Sequence, residues 1–444
     1  MSGVQQQQPV RRERAARPAL TLVDRDRRGA ARTALEDRAS RSRLAFWCVA
    51  AVFVVVMTGT TLPSPLFGLY EQRLHISSLS VTVIYGIYSV GVVVALAVLA
   101  RFGSGIGLLT RLAVGLALSA VSAAVFLVTT TLGLLIAARV FSGLAAGLTS
   151  GTATSAMIEL GDTDRRARSA VIAVGVSFGG LAVGTTMSGA LSDLGSAALT
   201  LPFLIDLIAS LAIAPALLAV ASGFKDSRAT EPVSKDTRAA GGVESGSSGA
   251  LFASPRIRRL FIHAIVPGGV GFAANGLVAA VAAVFLSDYL NLSNRALAGV
   301  VLAILFLATA AGQLIVRRTS PRLAPIIGSF GLVAGLALLA ITLLAPSLPG
   351  LIAASTVIGA SAGVCTGAGL VSLAIAVPKS QLTKMTAWYY VALYGSITVP
   401  VIGDGLIAQS TGIATAGLIV CIALAVAVVA VLVSLVHDRT SQPA

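Results

Sequence analysis

The sequence predicts an all-α membrane protein: twelve transmembrane helices in two pseudo-symmetric six-helix bundles, with both termini cytoplasmic. Three observations predict this: a composition too apolar for water, basic residues sorted by topology, and an internal repeat. Of 444 residues, 56% are hydrophobic and 11% are charged. A soluble domain carries about a quarter charged residues, because water meets its whole surface. The 50 acidic and basic residues here cannot supply that surface.

A bilayer core of about 30 Å is crossed by about 20 apolar helical residues. Twelve such runs follow in order: 44–66, 79–100, 106–129, 131–155, 169–191, 197–222, 260–286, 297–316, 323–345, 349–376, 385–408 and 411–436. The first ends in the proline-bearing stretch Thr61-Leu-Pro-Ser-Pro-Leu-Phe-Gly-Leu-Tyr70. Very short turns precede the runs that begin at 131, 349 and 411. The fifth follows Arg165, Arg166 and Arg168, and the seventh follows Arg256, Arg258 and Arg259. Arg317, Arg318 and Arg322 separate the eighth from the ninth. These runs are too long for barrel strands, and in hydrocarbon only helices or closed barrels satisfy the backbone.

Placing the N-terminus inside puts 29 of the 32 lysines and arginines on the cytoplasmic side. Arg73 and Arg295 fall outside, and Arg139 lies within a helix. The opposite orientation reverses the ratio and violates the positive-inside bias. Residues 1–43 form a polar, Arg-rich tail, expected to be disordered and to anchor topology. Its charged region is too long for a signal peptide. The first bundle spans 44–222 and the second 260–436, with a Ser-, Gly-, Ala- and charge-rich cytoplasmic linker at 223–259 and a short tail at 437–444.

The repeat appears in the fourth and tenth helices. The windows Leu135–Gly151 and Leu351–Gly367 align without gaps at an offset of 216, with eight identities in 17 positions. The identities include Gly143/Gly359, Gly147/Gly363 and Gly151/Gly367. The same offset pairs Gly179 with Gly395 and Gly189 with Gly405. Parallel halves joined by a cytoplasmic linker are a transporter architecture, with the substrate site between halves that rock to alternate access. Gly143 and Gly147 share a helix face, and small-xxx-small faces let helices approach closely in lipid.

With these residues in view, the chain resembles the major facilitator superfamily over nearly all of 44–436, and within it the twelve-helix drug:proton antiporters. Arg139-Val-Phe-Ser-Gly143 has the family's fourth-helix pattern of an arginine with glycine four residues on. Gly180-Leu-Ala-Val-Gly184-Thr-Thr-Met-Ser-Gly189 keeps the glycines of the antiporters' fifth-helix element, with Thr185 where proline stands. The family's acidic loop after the second helix corresponds to Arg101-Phe-Gly-Ser-Gly-Ile-Gly107, without the Asp and the terminal arginines. Its second-half counterpart keeps Gly312, Leu314 and Arg317 but again lacks the acid. The resemblance implies the superfamily fold and transport, with the cytoplasmic charge locks weakened or rearranged.

Ionisable groups in lipid are costly and therefore candidates for function. Arg139 lies about eight residues from the end of its helix, roughly 12 Å in. It is a candidate for proton coupling or substrate charge sensing, the alternative being a structural ion pair. Asp206 lies at matched depth in the sixth helix, and an Arg139–Asp206 pair is expected to neutralise both. Asp404, in the eleventh helix, either binds protons or a cationic substrate or meets water at the helix end. Glu159 and His263 are placed near the cytoplasmic face. Tyr390 and Tyr394 sit one turn apart, beside Trp388 and Tyr389, and offer stacking to a drug-like ligand. Trp388 equally suits an interfacial belt. Asn275, Thr58, Thr61, Thr149, Thr152 and Ser177 either hydrate a cavity or bond between helices.

The three cysteines and three histidines show no disulfide or metal-ligand spacing. No catalytic set, metal, cofactor or phosphate loop is evident. The net charge of +14 is spread by topology, which argues against a nucleic-acid partner. The expected protein is thus a monomeric, multi-pass transporter of a bacterial inner (plasma) membrane. Its expected partners are a small-molecule substrate, protons and the lipid bilayer. Proton-coupled efflux of small amphipathic molecules leads, with proton-coupled metabolite uptake or a non-transporting membrane sensor as alternatives.

Overall fold

The computed structural model describes residues 40–102, 106–160, 166–229, 255–292, 294–320, 323–376 and 379–440. The expected N-terminal tail up to residue 39, most of the linker, and the middle of the 101–107 loop lie outside the described residues. Twelve helical segments are described: α1 Ser40–Leu74, α2 Ser78–Phe102, α3 Leu108–Leu127, α4 Leu132–Leu160, α5 Arg166–Leu191 and α6 Leu201–Ala229. They continue as α7 Pro255–Asp288, α8 Arg295–Val316, α9 Ala324–Leu344, α10 Leu348–Ala376, α11 Lys379–Thr411 and α12 Ile413–Thr440. No strand occurs among the described residues. Eleven of the helices are long and apolar enough to cross a membrane, and α2 carries a shorter apolar stretch, Val83–Leu99. The protein is therefore a multi-pass membrane protein.

Boundaries follow local chemistry. Regular helix in α1 stops at 61, because Pro63 and Pro65 have no N–H to donate back up the ladder. A 3-10 turn, Ser64–Leu66, carries the chain on, and helix resumes from Phe67 to Leu74, well past the expected end at 66. A 3-10 turn at Gly195–Leu199 replaces the expected start of the sixth run, so α6 begins at Leu201. Between α11 and α12 a single residue intervenes, Gly412 at φ +83°, a conformation that glycine adopts without strain.

The helix pairings recur with a shift of six. α2 packs on α4 as α8 does on α10, α3 on α4 as α9 on α10, and α3 on α6 as α9 on α12. Two long seams join early helices to late ones, α5 on α8 and α2 on α11. Repeat glycines make the equivalent close approaches. A Cβ on Gly143 would strike the Tyr88 carbonyl and Gly91 of α2, and one on Gly147 would lie 2.7 Å from the Val92 carbonyl. Gly359 and Gly363 meet the Leu305 and Thr309 carbonyls of α8 in the same way, and Gly312 of α8 meets Ala360 of α10. Gly180 and Gly184 of α5 lie against the α1 backbone at Val54 and Thr58, and Gly189 lies against Arg295 and Gly299 in the α5–α8 seam. Gly151, Gly179 and Gly395, also marked by the repeat, have open space where a Cβ would stand.

Apolar side chains cover the outside. Leu211, Leu344, Ile375 and Val433 are exposed on α6, α9, α10 and α12, as a surface facing lipid requires. The core crosses the seams. Tyr390, Val391 and Tyr394 of α11 pack into a cluster built by α1–α6, while Phe178 and Leu181 of α5 pack against one built by α7–α10 and α12 together with Ala182 of α5.

Candidate functional site

The arginine at the centre of the site caps a broken helix. Where helix in α1 stops, its last carbonyls lose their intrahelical donors. One of them, the Thr60 carbonyl, accepts a hydrogen bond from Arg139 Nη1 at 2.8 Å. α1 is fixed there by two further bonds across to α5, Thr58 Oγ1 to the Gly180 carbonyl (3.1 Å) and Thr61 Oγ1 to the Leu181 carbonyl (2.8 Å). Glycines at 180 and 184 allow this approach. Thr58 and Thr61 therefore bond between helices.

Arg139 is 1% exposed. Its guanidinium carbon stands 4.8 Å from the Phe67 ring centre, 5.9 Å from Tyr85 and 6.0 Å from Tyr88. Tyr70 completes the surround, and Tyr70, Tyr85 and Tyr88 all feel the Arg139 charge. Each such face stabilises a cation by about 0.5–2 kcal/mol, the upper end applying where water is excluded. Even so, Nε and Nη2 find no acceptor among the described residues, nor does the Tyr70 hydroxyl have a partner.

The expected Arg139–Asp206 ion pair is not formed. Asp206 is buried, but its carboxylate lies against Gly59, where a Cβ would stand 2.6 Å from Oδ2, with Ser119 of α3 beside it. Matched depth along two helices did not bring the two groups together: the carboxyl lies against Gly59, and the guanidinium is held by the Thr60 carbonyl.

From the arginine, a wall of aromatic side chains runs across the α2–α11 seam. Tyr88 lies close to the Thr60 hydroxyl and to Tyr394, whose own hydroxyl lies close to Ser150 of α4. Phe272 of α7 meets Tyr394 edge-on at 5.4 Å. Tyr85, Tyr88, Phe272, Tyr390 and Tyr394 are only half-buried, although they lie among several helices. Seam closure beside them comes from Ser89 Oγ and Thr398 Oγ1, 2.6 Å apart. The Arg139 guanidinium is held by the Thr60 carbonyl, and its Nε and Nη2 meet no carboxylate among the described residues.

The other candidates lie elsewhere. Asp404 is 3% exposed, which removes the expectation that it meets water at the helix end. It faces Gly417 and Cys421 of α12, and its Oδ1 has no partner among the described residues. Asn275 of α7 donates to Thr309 Oγ1 of α8 at 3.3 Å. Tyr389 is fully buried, its hydroxyl against Gly268 and Gly369, so it packs α11 onto α7 and α10. Trp388 is exposed and Glu159 is exposed, as a belt residue and a solvated helix end would be. A separate recess of about 680 Å³, lined by Glu71, Ser77, Asp288, Tyr289, Gly405 and Gln409 among others, shares no lining residue with the arginine cluster.

Sequence reasoning missed Thr60, Phe67, Tyr70, Tyr85 and Tyr88. A signal existed for two of these: Tyr85 and Tyr88 are three apart and so share a helix face.

A family model described as Major Facilitator Superfamily matches residues 49–341. A search of curated proteins finds no match. The matched stretch runs from α1 into α9, covers more than half of the sequence and includes Arg139 and the tyrosines of α2; the chain belongs to the Major Facilitator Superfamily and is a membrane transporter.

Proposed function

We propose that this transporter is secondary active and exports small amphipathic molecules in exchange for protons. In this reading two six-helix halves, α1–α6 and α7–α12, rock about the α5–α8 and α2–α11 seams, with both termini in the cytoplasm of a bacterial inner membrane. The recurrence of helix pairings with a shift of six supports the two halves, and the bias of arginine and lysine supports the orientation. The observation that carries the reading is the half-buried wall of Tyr88, Tyr390 and Tyr394. It is assembled from both halves beside a buried arginine, so it exists only while the two halves are in contact. Aromatic faces bind apolar rings with little regard to detailed shape, which suits amphipathic cargo. The protein acts as a monomer, without a cofactor, on a small-molecule substrate and protons.

The test is transport by the purified protein in liposomes under an imposed pH gradient, with a panel of fluorescent amphipaths. Export coupled to proton entry predicts uphill movement that a protonophore abolishes. Accumulation in the same direction as the protons would establish uptake instead. Binding with no movement under any gradient would favour the sensor.

A further inference from the structure

We infer that Arg139 forms an oxyanion-binding subsite, and that the cargo is an amphipathic molecule with an aromatic body and a carboxylate or similar anionic head. This rests on the transporter reading above and narrows its substrate class.

The argument starts from which nitrogens are used. A guanidinium offers five N–H donors in a fixed planar fork. Nη1 is engaged by the Thr60 carbonyl, which fixes the plane of the group. The two nitrogens left without acceptors, Nε and Nη2, are neighbours on one edge. Their N–H bonds run side by side and match the two oxygens of a carboxylate. The Tyr70 hydroxyl, buried and equally without a partner, belongs to the same group around the arginine. The two fork nitrogens and the Tyr70 hydroxyl, which lies within the influence of the Arg139 charge, are thus buried donors without an acceptor among the described residues.

Buried polar groups in proteins are nearly always satisfied, so an orphan fork on a buried cation calls for a partner from outside the chain. A cationic cargo is disfavoured, since it would meet the Arg139 charge, whose Nε and Nη2 no carboxylate answers among the described residues. The two acids buried in the membrane helices among the described residues do not serve as the acceptor: Asp206 is turned to Gly59, and Asp404 to α12. The tyrosine wall next to the arginine supplies faces for the ring of the same molecule. Head and body thus find adjacent, chemically different surfaces.

The test uses three probes with one ring system: 2-naphthoate, 2-naphthamide and 2-naphthylmethylammonium. Binding to the full chain in lipid nanodiscs is measured by calorimetry. The expected result is binding of the carboxylate at least about tenfold tighter than either of the others, because only it answers the fork. In Arg139→Gln the carboxylate preference disappears while ring binding remains. Equal binding of the three, tighter binding of the ammonium, or no binding of any would overturn the inference, and each is readable on the unaltered protein even if the variant fails to fold. Transport separates the two proposals. Movement of naphthalene amphipaths without anionic preference sinks the subsite and leaves the exporter. Selective carboxylate binding with no movement under any gradient sinks the exporter and leaves the subsite.

Discussion

Arg139 and Asp206 meet α1 on consecutive residues and do not meet each other: the guanidinium holds the Thr60 carbonyl at 2.8 Å, and the carboxylate lies against Gly59. Two buried ionisable groups that meet the same helical step independently should behave as independent sites. In a double-mutant cycle with Arg139→Gln and Asp206→Asn, the stability effects are expected to add within about 0.5 kcal/mol. Thermal unfolding in detergent measures this. Mutual rescue in the double variant would restore the ion pair to consideration.

Gly59 is predicted to be intolerant for a reason that a second substitution can remove. A Cβ there would stand 2.6 Å from Asp206 Oδ2. Gly59→Ala should cost about 1–3 kcal/mol through overpacking. Combining it with Asp206→Ala should recover most of that loss, and melting temperatures of the three variants decide the matter.

The arginine cannot be replaced by lysine without loss. Lysine keeps the charge but has no planar group to lie on Phe67 and no second donor edge once one contact is made. Arg139→Lys should reduce the initial transport rate by at least about tenfold, with near-normal amounts of folded protein by size-exclusion chromatography. Wild-type rates in this variant would reduce Arg139 to a counter-charge.

Repeat glycines should divide into two classes. Gly143→Val and Gly359→Val force a side chain into a facing backbone, and each should cost about 1–3 kcal/mol. Gly179→Ala and Gly395→Ala enter open space and should be neutral or gain up to about 1 kcal/mol from better helix propensity. Yields and unfolding temperatures of the four variants test the division. Equal tolerance at 143 and 179 would contradict the packing described.

The α2–α11 seam should be a moving part. Ser89 and Thr398 touch through their hydroxyls at 2.6 Å. In a background with Cys48, Cys365 and Cys421 replaced, the Ser89→Cys/Thr398→Cys pair should cross-link under mild oxidation and stop transport, and reductant should restore it. Unchanged transport by the cross-linked protein would mean that this seam stays closed throughout the cycle.

Most of the fold was legible in the sequence because lipid imposes coarse rules. Run length set the helices, and the short turns before 131, 349 and 411 fell within two residues of the observed starts of α4, α10 and α12. The first helix was misjudged because hydropathy does not register a proline pair: Pro63 and Pro65 break the ladder, yet helix resumes and runs to Leu74. The site was less legible. Arg139 stood out as a charge in an apolar run, but its true partner is a backbone carbonyl, which no side-chain pattern announces. Depth along the helix suggested Asp206, yet depth says nothing about azimuth, and azimuth turns Asp206 to Gly59. Tyr390 and Tyr394 could be paired by helical spacing, whereas their meeting with Tyr88 depends on a seam between helices distant in sequence.

The one-residue joint at Gly412 links this seam to the surrounding bilayer. Backbone hydrogen bonds continue on both sides of it, from Gly412 to Ala408 and from Ala416 to Gly412, each 3.0 Å. With so short a hinge, α11 cannot change its tilt without dragging the near end of α12. α12 presents Val426 and Val433 outward, each more than half exposed. Lateral pressure and acyl-chain order act directly on that surface, so hydrocarbon thickness becomes a mechanical input to the tyrosine wall.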